Sequence, residues 1–234
     1  MIRLDKYLSE MGAGTRSEVK KYIRQGMVTV DGTVVKKPEE KIEEATQTVC
    51  VNGKELGYEK FEYYMLNKPK GVVSATTDKR DRTVMDLIES KKRKDLFPVG
   101  RLDKDTEGLL LITNDGELAH RLLAPKKHVD KVYYAQVAGQ VTEDTVRQFS
   151  LGLDIGNDER AKPSLLKILK SDAVSEIELT IQEGKFHQVK RMFQAVGMEV
   201  LYLKRLSMGS LVLDPTLETG EYRRLSEEEV EKLC

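Results

Sequence analysis

The apolar positions follow two different periods along the chain, and the changes between them mark its elements. Leu4, Tyr7, Leu8 and Met11 recur at helical spacing, and Val19, Tyr22 and Ile23 repeat that pattern after Gly12-Ala13-Gly14. Thr15 or Ser17 can cap the second helix, and Gln25-Gly26 ends it. Residues 27–30 and 33–35 predict short strands about Asp31-Gly32, a strong hairpin signal, and 48–51 predicts another before Asn52-Gly53. Gly57-Tyr58-Glu59-Lys60 reads as a linker. The expected organisation is therefore a small unit over residues 1–58 and a larger one over 59–234.

In the larger unit, strands are expected at 61–66, 109–113, 129–137, 163–169, 176–181, 200–206 and 211–214. Asn67-Lys68-Pro69-Lys70-Gly71 breaks the first, and extended structure resumes over 72–75. Helices are expected at 84–88 behind Thr83, at 117–123 behind Asp115, at 142–149, at 186–196 and from Ser226 onward. In the strand at 129–137, Lys131, Tyr133, Ala135 and Val137 share one face, and Val132, Tyr134 and Gln136 share the other. Short strands with irregularly interleaved helices predict an α+β fold rather than a regular βαβ array. No internal repeat or low-complexity tract interrupts the pattern.

Residues 100–116 stand out. Asp103, Asp105 and Glu107, together with Arg101 and Lys104, sit immediately before the apolar run 109–113, which Asn114-Asp115-Gly116 stops with turn chemistry. Two readings fit the loop by itself. It is a solvated turn, or it is a charged loop that a buried strand holds so as to present one reactive carboxylate.

Composition narrows the classes. The chain has 234 residues, is 39% hydrophobic and 33% charged, and can build a core. No apolar run approaches the ~20 residues that span a membrane. The N-terminus lacks an apolar signal region, so a cytoplasmic protein is expected. Two distant cysteines, Cys50 and Cys234, make neither a disulfide framework nor a metal cluster. The charge is balanced, 39 basic against 39 acidic residues, but the signs are segregated. Arg16, Lys20 and Arg24 fall at i, i+4 and i+8 along one exposed flank, and Lys185, Lys190, Arg191, Lys204 and Arg205 form another basic group. Such segregation permits an RNA-binding face despite zero net charge. The basic run Lys91-Lys92-Arg93-Lys94 reads as an exposed loop, either a mobile solvated one or an RNA contact. There is no phosphate-binding Gly-rich loop, no Cys/His metal spacing and no Gly-x-Ser-x-Gly elbow. What remains is acid, base or nucleophilic work by carboxylates, tyrosines and cations.

Four motifs then carry a resemblance: Leu66-Asn67-Lys68-Pro69-Lys70-Gly71, Gly100-Arg101-Leu102-Asp103-Lys104-Asp105-Thr106-Glu107-Gly108, Lys131-Val132-Tyr133, and Glu183-Gly184-Lys185-Phe186-His187-Gln188-Val189-Lys190-Arg191-Met192-Phe193. In that order they resemble the pseudouridine synthases. Arg3-Leu4-Asp5-Lys6-Tyr7-Leu8, Thr15-Arg16-Ser17-Glu18 and Gly26-Met27-Val28-Thr29-Val30-Asp31-Gly32 resemble the αL RNA-binding module. With that module in front, the chain looks like the RsuA type, which modifies a uridine of small-subunit (16S) ribosomal RNA. The resemblance implies an αL domain followed by a mixed, mainly antiparallel catalytic sheet with flanking helices. It also implies an isomerase without a cofactor, with ribosomal RNA as partner, acting as a monomer away from membranes.

Residue by residue, the resemblance makes Asp103 the essential aspartate, acting as nucleophile or by removing a ribose proton. Tyr133 becomes the tyrosine that stacks on uracil and is proposed as base for the proton at ring carbon 5. Lys190 falls where the aspartate's cationic partner sits, a position more often arginine, and Arg191 beside it competes for that role. Arg101 becomes the residue that fills the space left by the extruded base. Arg16, Lys20, Arg24, Lys68, His187 and Arg191 join it as expected RNA contacts. Two other readings stay open on the sequence: a related synthase acting on large-subunit ribosomal RNA, and a noncatalytic RNA-binding ribosome-assembly factor. A pure binder would have no need of a carboxylate among RNA-facing cations.

Overall fold

Local chemistry builds the first elements. In the computed structural model, which describes residues 1–44, 46–57, 59–91, 93–124 and 127–233, strand β1 (Ile2–Arg3) leads directly into helix α1 (Leu4–Glu10). Tyr58 of the expected linker, Lys92 of the basic run and Cys234 lie outside the described residues. Thr15 caps α2 (Arg16–Arg24) in a capping box: its hydroxyl accepts from the Glu18 amide at 3.3 Å, and its own amide donates to the Glu18 carboxylate at 2.7 Å. Strands β2 (Val28–Val30) and β3 (Thr33–Val34) turn at Asp31 and Gly32, whose φ of 50° and 78° match the twisted two-residue turn that hairpins favour. After β4 (Lys41–Ile42), strands β5 (Val49–Val51) and β6 (Lys54–Glu55) make a second such hairpin at Asn52-Gly53.

The chain divides into two compact units, Met1–Glu62 with Glu89–Leu96, and Tyr63–Ile88 with Phe97–Cys234. In the first unit, α1 and α2 pack Leu4, Tyr7, Leu8, Val19 and Ile23 against Val28, Val30 and Val49 from the strands. In its segment Glu89–Leu96, Lys91 and Lys94 are exposed as expected of a basic loop, and Arg93 is the exception. Arg93 is buried, with its guanidinium bonded to Asp95 at 2.6 Å and to Glu10 at 3.1 Å and its amide bonded to the Glu62 carboxylate. Burial opposes its charge, but the two carboxylates outweigh that and hold its pKa above the ordinary value.

The second unit is organised on one sheet. Its elements are β7 (Tyr63–Lys68), a 3-10 turn at Val84–Leu87, β8 (Phe97–Pro98), β9 (Glu107–Thr113), α3 (Gly116–Leu123), β10 (Lys131–Ala138), α4 (Glu143–Leu151), β11 (Leu165–Lys170), β12 (Val174–Ile181), α5 (Gln188–Ala195), β13 (Glu199–Met208), β14 (Leu211–Val212), β15 (Tyr222–Arg224) and α6 (Glu227–Leu233). The strand order is β11-β12-β10-β13-β9-β7-β15, with β14 on β13 and β8 on β9. Among the described residues, β9 and β13 are the one parallel pair of strands, so the sheet is mixed and mainly antiparallel and the fold is α+β. Helix α3, which Asp115 caps through the amides of Glu117 and Leu118, lays Leu118, Ala119 and Leu122 against Met65, Leu109 and Leu111. On the helices that follow later, the Phe149 and Phe193 rings meet at 4.9 Å. No helix among the described residues is long and apolar enough to cross a membrane.

Several boundaries differ from the sequence reading. Strand β7 starts at Tyr63 and runs through Lys68, because β9 pairs with it as far as Lys68↔Gly108. Residues 72–75 form no strand and keep a single bridge, Val73 to Thr83. Helix α5 begins at Gln188 rather than 186, since His187 adopts a left-handed conformation with φ 48°. Glu107 is the first residue of β9 rather than part of the loop, and it accepts the Tyr202 hydroxyl at 2.7 Å.

Candidate active site

The sheet register lines up one row of residues that determines the site. Lys68 of β7 pairs with Gly108 of β9, Gly108 with Arg205 of β13, and Arg205 with Tyr133 of β10. Gly108 is required there. A Cβ at this residue would lie 2.3 Å from the Arg205 carbonyl oxygen, and its φ of +98° is one that side chains rarely adopt. The absent side chain lets β9 and β13 approach, and so sets the loop before β9 close to the strand that carries Tyr133. Arg205 itself is buried and donates through Nε to the Leu109 carbonyl at 2.8 Å.

The loop carrying Asp103 is fastened from beneath. The Lys68 ammonium is fully buried and donates to the carbonyls of Asp103 at 3.1 Å, Thr106 at 2.9 Å and Pro69 at 3.0 Å. The Gly71 amide donates to the Lys104 carbonyl at 2.7 Å. The Ser74 hydroxyl both donates to the Leu102 carbonyl and accepts from the Leu102 amide. The Asp103–Thr106 turn closes on itself through the Thr106 amide. Residues 68–74 thus act as a bracket for 102–106, while the Val73 backbone accepts from Val84 and donates to Arg82 instead of joining a strand. Burial lowers the Lys68 pKa to about 8, against the opposing pull of Asp105 and Asp103. An enclosed ammonium with these partners does not reach RNA, which corrects the expectation of a direct contact from Lys68.

The fastened loop offers its carboxylates to α5. The Lys190 ammonium lies 3.3 Å from Asp103 Oδ2 and 2.6 Å from Asp105 Oδ1, and His187 Nε2 lies 3.7 Å from Asp103 Oδ1. Burial works against the Lys190 cation, but its hydrogen bond to Asp105 and the charges of both aspartates raise its pKa above the ordinary lysine value. Burial likewise works against the Asp105 carboxylate, and Lys190 outweighs it, so its pKa is lowered. Arg191 turns away: its guanidinium bonds to the Ile155 and Gly156 carbonyls and to Glu159 at 2.5 Å. The cation beside Asp103 is Lys190, and Arg191 is committed to the 155–159 loop rather than available to RNA.

Two cavities that share Asp103 and His187 in their walls adjoin these groups. A small one of about 70 Å³ is lined by Asp103, Thr106, Tyr133, Lys190 and Leu203. A cleft of about 840 Å³ extends from Asp103 past Arg101, Lys131, Lys185, Phe186 and His187. Tyr133 is 7% exposed, so a sliver of it meets the small cavity. Arg101 is exposed on the cleft wall. In the first unit, Arg16 and Arg24 are exposed on α2, and Lys20 is partly exposed, 3.9 Å from Asp5. Sequence reasoning passed over Asp105, Ser74 and Arg205 as site components, and no local signal marks them: each is defined by a partner far along the chain.

This arrangement is a carboxylate paired with a cation, beside an aromatic side chain, at the edge of a cleft of about 840 Å³. Comparison with known proteins agrees. The RNA pseudouridylate synthase family matches residues 62–195, and the S4 domain matches residues 2–47. An "Uncharacterized RNA pseudouridine synthase YtzG" of Bacillus subtilis is 50% identical over 99% of this chain and 98% of its own length. The "Ribosomal small subunit pseudouridine synthase A" of Vibrio cholerae is 42% identical over 98% of each. A crystal structure of a pseudouridylate synthase, 38% identical, superposes with a TM-score of 0.70 over the whole of both chains. The chain belongs to the RNA pseudouridylate synthase family, with an N-terminal S4 domain. It is an isomerase of RNA uridines.

Proposed function

We propose that the protein converts a specific uridine of small-subunit (16S) ribosomal RNA to pseudouridine, with Asp103 as the reactive carboxylate. The observation that carries this is the Lys190 ammonium, 3.3 Å from Asp103 at a cavity that Tyr133 also lines. Near-full-length relatives named for the small ribosomal subunit support the choice of RNA.

The reaction breaks the C1′–N1 bond of uridine and forms a C1′–C5 bond. Every atom of the product comes from the substrate and no electrons are exchanged, so the chemistry calls for no cofactor. The base leaves its stack at a cost of a few kcal/mol, which an aromatic platform offsets by about 1–3 kcal/mol. Asp103 acts at the ribose, as nucleophile at C1′ or as base for a ribose proton. Lys190 stands beside that carboxylate as its cationic partner. Tyr133 stacks on the uracil and relays the C5 proton once the new bond has formed, and N1 takes up a proton in exchange. Arg101 and His187 contact the RNA at the cleft. Residues 1–58, with Arg16, Lys20 and Arg24, add affinity, and residues 59–234 carry the chemistry. The protein acts as a cytoplasmic monomer.

Mapping pseudouridines in ribosomal RNA from cells with and without the gene tests the assignment. Loss of one small-subunit pseudouridine is expected. Loss confined to large-subunit RNA would redirect the assignment to that RNA, and an unchanged map would refute it.

A further inference from the structure

Phe186 is 71% exposed, although it adjoins a helix whose Val189, Met192 and Phe193 are buried. An isolated exposed apolar residue needs no explanation. This one, however, is held. Its ring stacks on the His187 imidazole, with centroids 3.8 Å apart and planes inclined by 19°. Its carbonyl accepts from the Arg191 guanidinium at 3.2 Å. The turn beneath it is closed by the Lys185 amide on the Gln188 side chain and by that side chain on Glu183. His187 occupies the left-handed region, φ 48°, which a residue other than glycine enters rarely. The stack covers one face of the Phe186 ring, and its large exposure leaves the other face open. Both residues line the 840 Å³ cleft, and His187 also lies 3.7 Å from Asp103.

We propose that Phe186, backed by His187, is a stacking platform for a base flanking the target uridine. This rests on the reading of the protein as a uridine isomerase. When one nucleotide leaves its helix, its neighbours lose a stacking partner, and an exposed aromatic face at the cleft replaces it. The cleft volume lies in the upper part of the ~300–1,000 Å³ that encloses a drug-sized ligand, so it has room beyond a single flipped nucleotide. Arg101, exposed on the same cleft, supplies a cation for a flanking phosphate. The platform favours binding of the opened RNA, and Asp103 and Tyr133 do the chemistry.

The test uses the full chain and an RNA hairpin carrying the uridine that the wild-type protein modifies. Phe186→Ala is expected to raise Kd about 5- to 150-fold, the range for loss of one base–aromatic stack, and to leave the single-turnover rate at saturating RNA within about threefold. Phe186→Leu, which keeps apolar area but lacks a π face, should resemble Phe186→Ala, whereas Phe186→Tyr should match wild type. In an Asp103→Asn background, 2-aminopurine placed on either side of the uridine should report stacking at one of the two sites, and that signal should vanish with Phe186→Ala. Unchanged binding by Phe186→Ala, wild-type binding by Phe186→Leu, or a lowered melting temperature in Phe186→Ala would each overturn the platform. Wild-type protein that modifies no uridine would instead refute the underlying reading.

Discussion

Lys190 makes its shortest contact with Asp105, 2.6 Å, and not with Asp103, which it meets at 3.3 Å. One ammonium therefore serves two carboxylates of the same loop. Asp105 is the more exposed of the two, 56% against 27%, and an ion pair so open to solvent contributes roughly 0–1 kcal/mol. Its service is to orient Lys190. Asp105→Asn is expected to keep kcat within about tenfold, since an amide oxygen still accepts from Lys190. Lys190→Met, which removes the cation from beside Asp103, is expected to lower kcat at least ~100-fold, as loss of one preorganised charged group does elsewhere. Single-turnover assays of both variants check this. Equal losses would make Asp105, and not Asp103, the carboxylate that Lys190 serves.

Lys68→Met should weaken the second unit by about 1–3 kcal/mol, because the buried Asp103 and Thr106 carbonyls lose their donor. The pH dependence has a definite sign. The folded-state pKa is about 8, below the ordinary 10.5 of a free lysine. Between those values the unfolded chain binds more protons than the folded one, so this group makes stability rise with pH from about 8 to about 10. Urea midpoints of wild type minus Lys68→Met, measured across that window, should increase with pH. A flat difference would show that Lys68 does not titrate there.

Gly108→Ala should destabilise far more than the ~1 kcal/mol typical of a point mutation. Its Cβ would enter the Arg205 backbone in the parallel pair of β9 with β13, and its φ would be strained as well. Thermal unfolding of the variant reads this directly. A melting temperature near wild type would mean that β9 and β13 can separate without harm.

Arg93→Met should cost the first unit about 1–3 kcal/mol, the scale for hydrogen bonds to a charged group, because Arg93 is buried while Glu10 and Asp95 keep access to solvent. Because Arg93 is buried, its removal should change RNA affinity only as far as it unfolds that unit. Chemical denaturation and an RNA-binding titration of the folded variant separate the two effects. Wild-type stability with weakened binding would return Arg93 to the role of an RNA contact.

What the sequence made legible was local. The Asp31-Gly32 hairpin, the Asp115 cap and the alternation that sets Lys131, Tyr133, Ala135 and Val137 on one face each depend on a few neighbouring residues, and each stands as expected, while of Thr15 and Ser17 the structure makes Thr15 the cap. The order of the four motifs named the family before any geometry. Groups whose role depends on a remote partner were misread. Lys68 looked like an RNA contact because nothing near it in sequence shows that Thr106, 38 residues on, would enclose it. Arg93 looked solvated for the same reason, its partner Glu10 being 83 residues away. Asp105 looked equivalent to its neighbouring carboxylates because Lys190 is 85 residues distant. The start of α5 was misplaced because apolar periodicity carries no sign of the left-handed His187.

The central claim is that the Asp103 carboxylate, and not the charged loop as a whole, is the reactive group. Asp103→Asn changes one oxygen to an amide nitrogen and leaves the backbone fastened by Lys68, Gly71 and Ser74 in place. Pseudouridine formation on small-subunit ribosomal RNA, measured beside RNA affinity and melting temperature, tests this most directly. The account predicts a variant that folds and binds RNA as wild type does and forms no pseudouridine. Substantial product from the folded variant would contradict it.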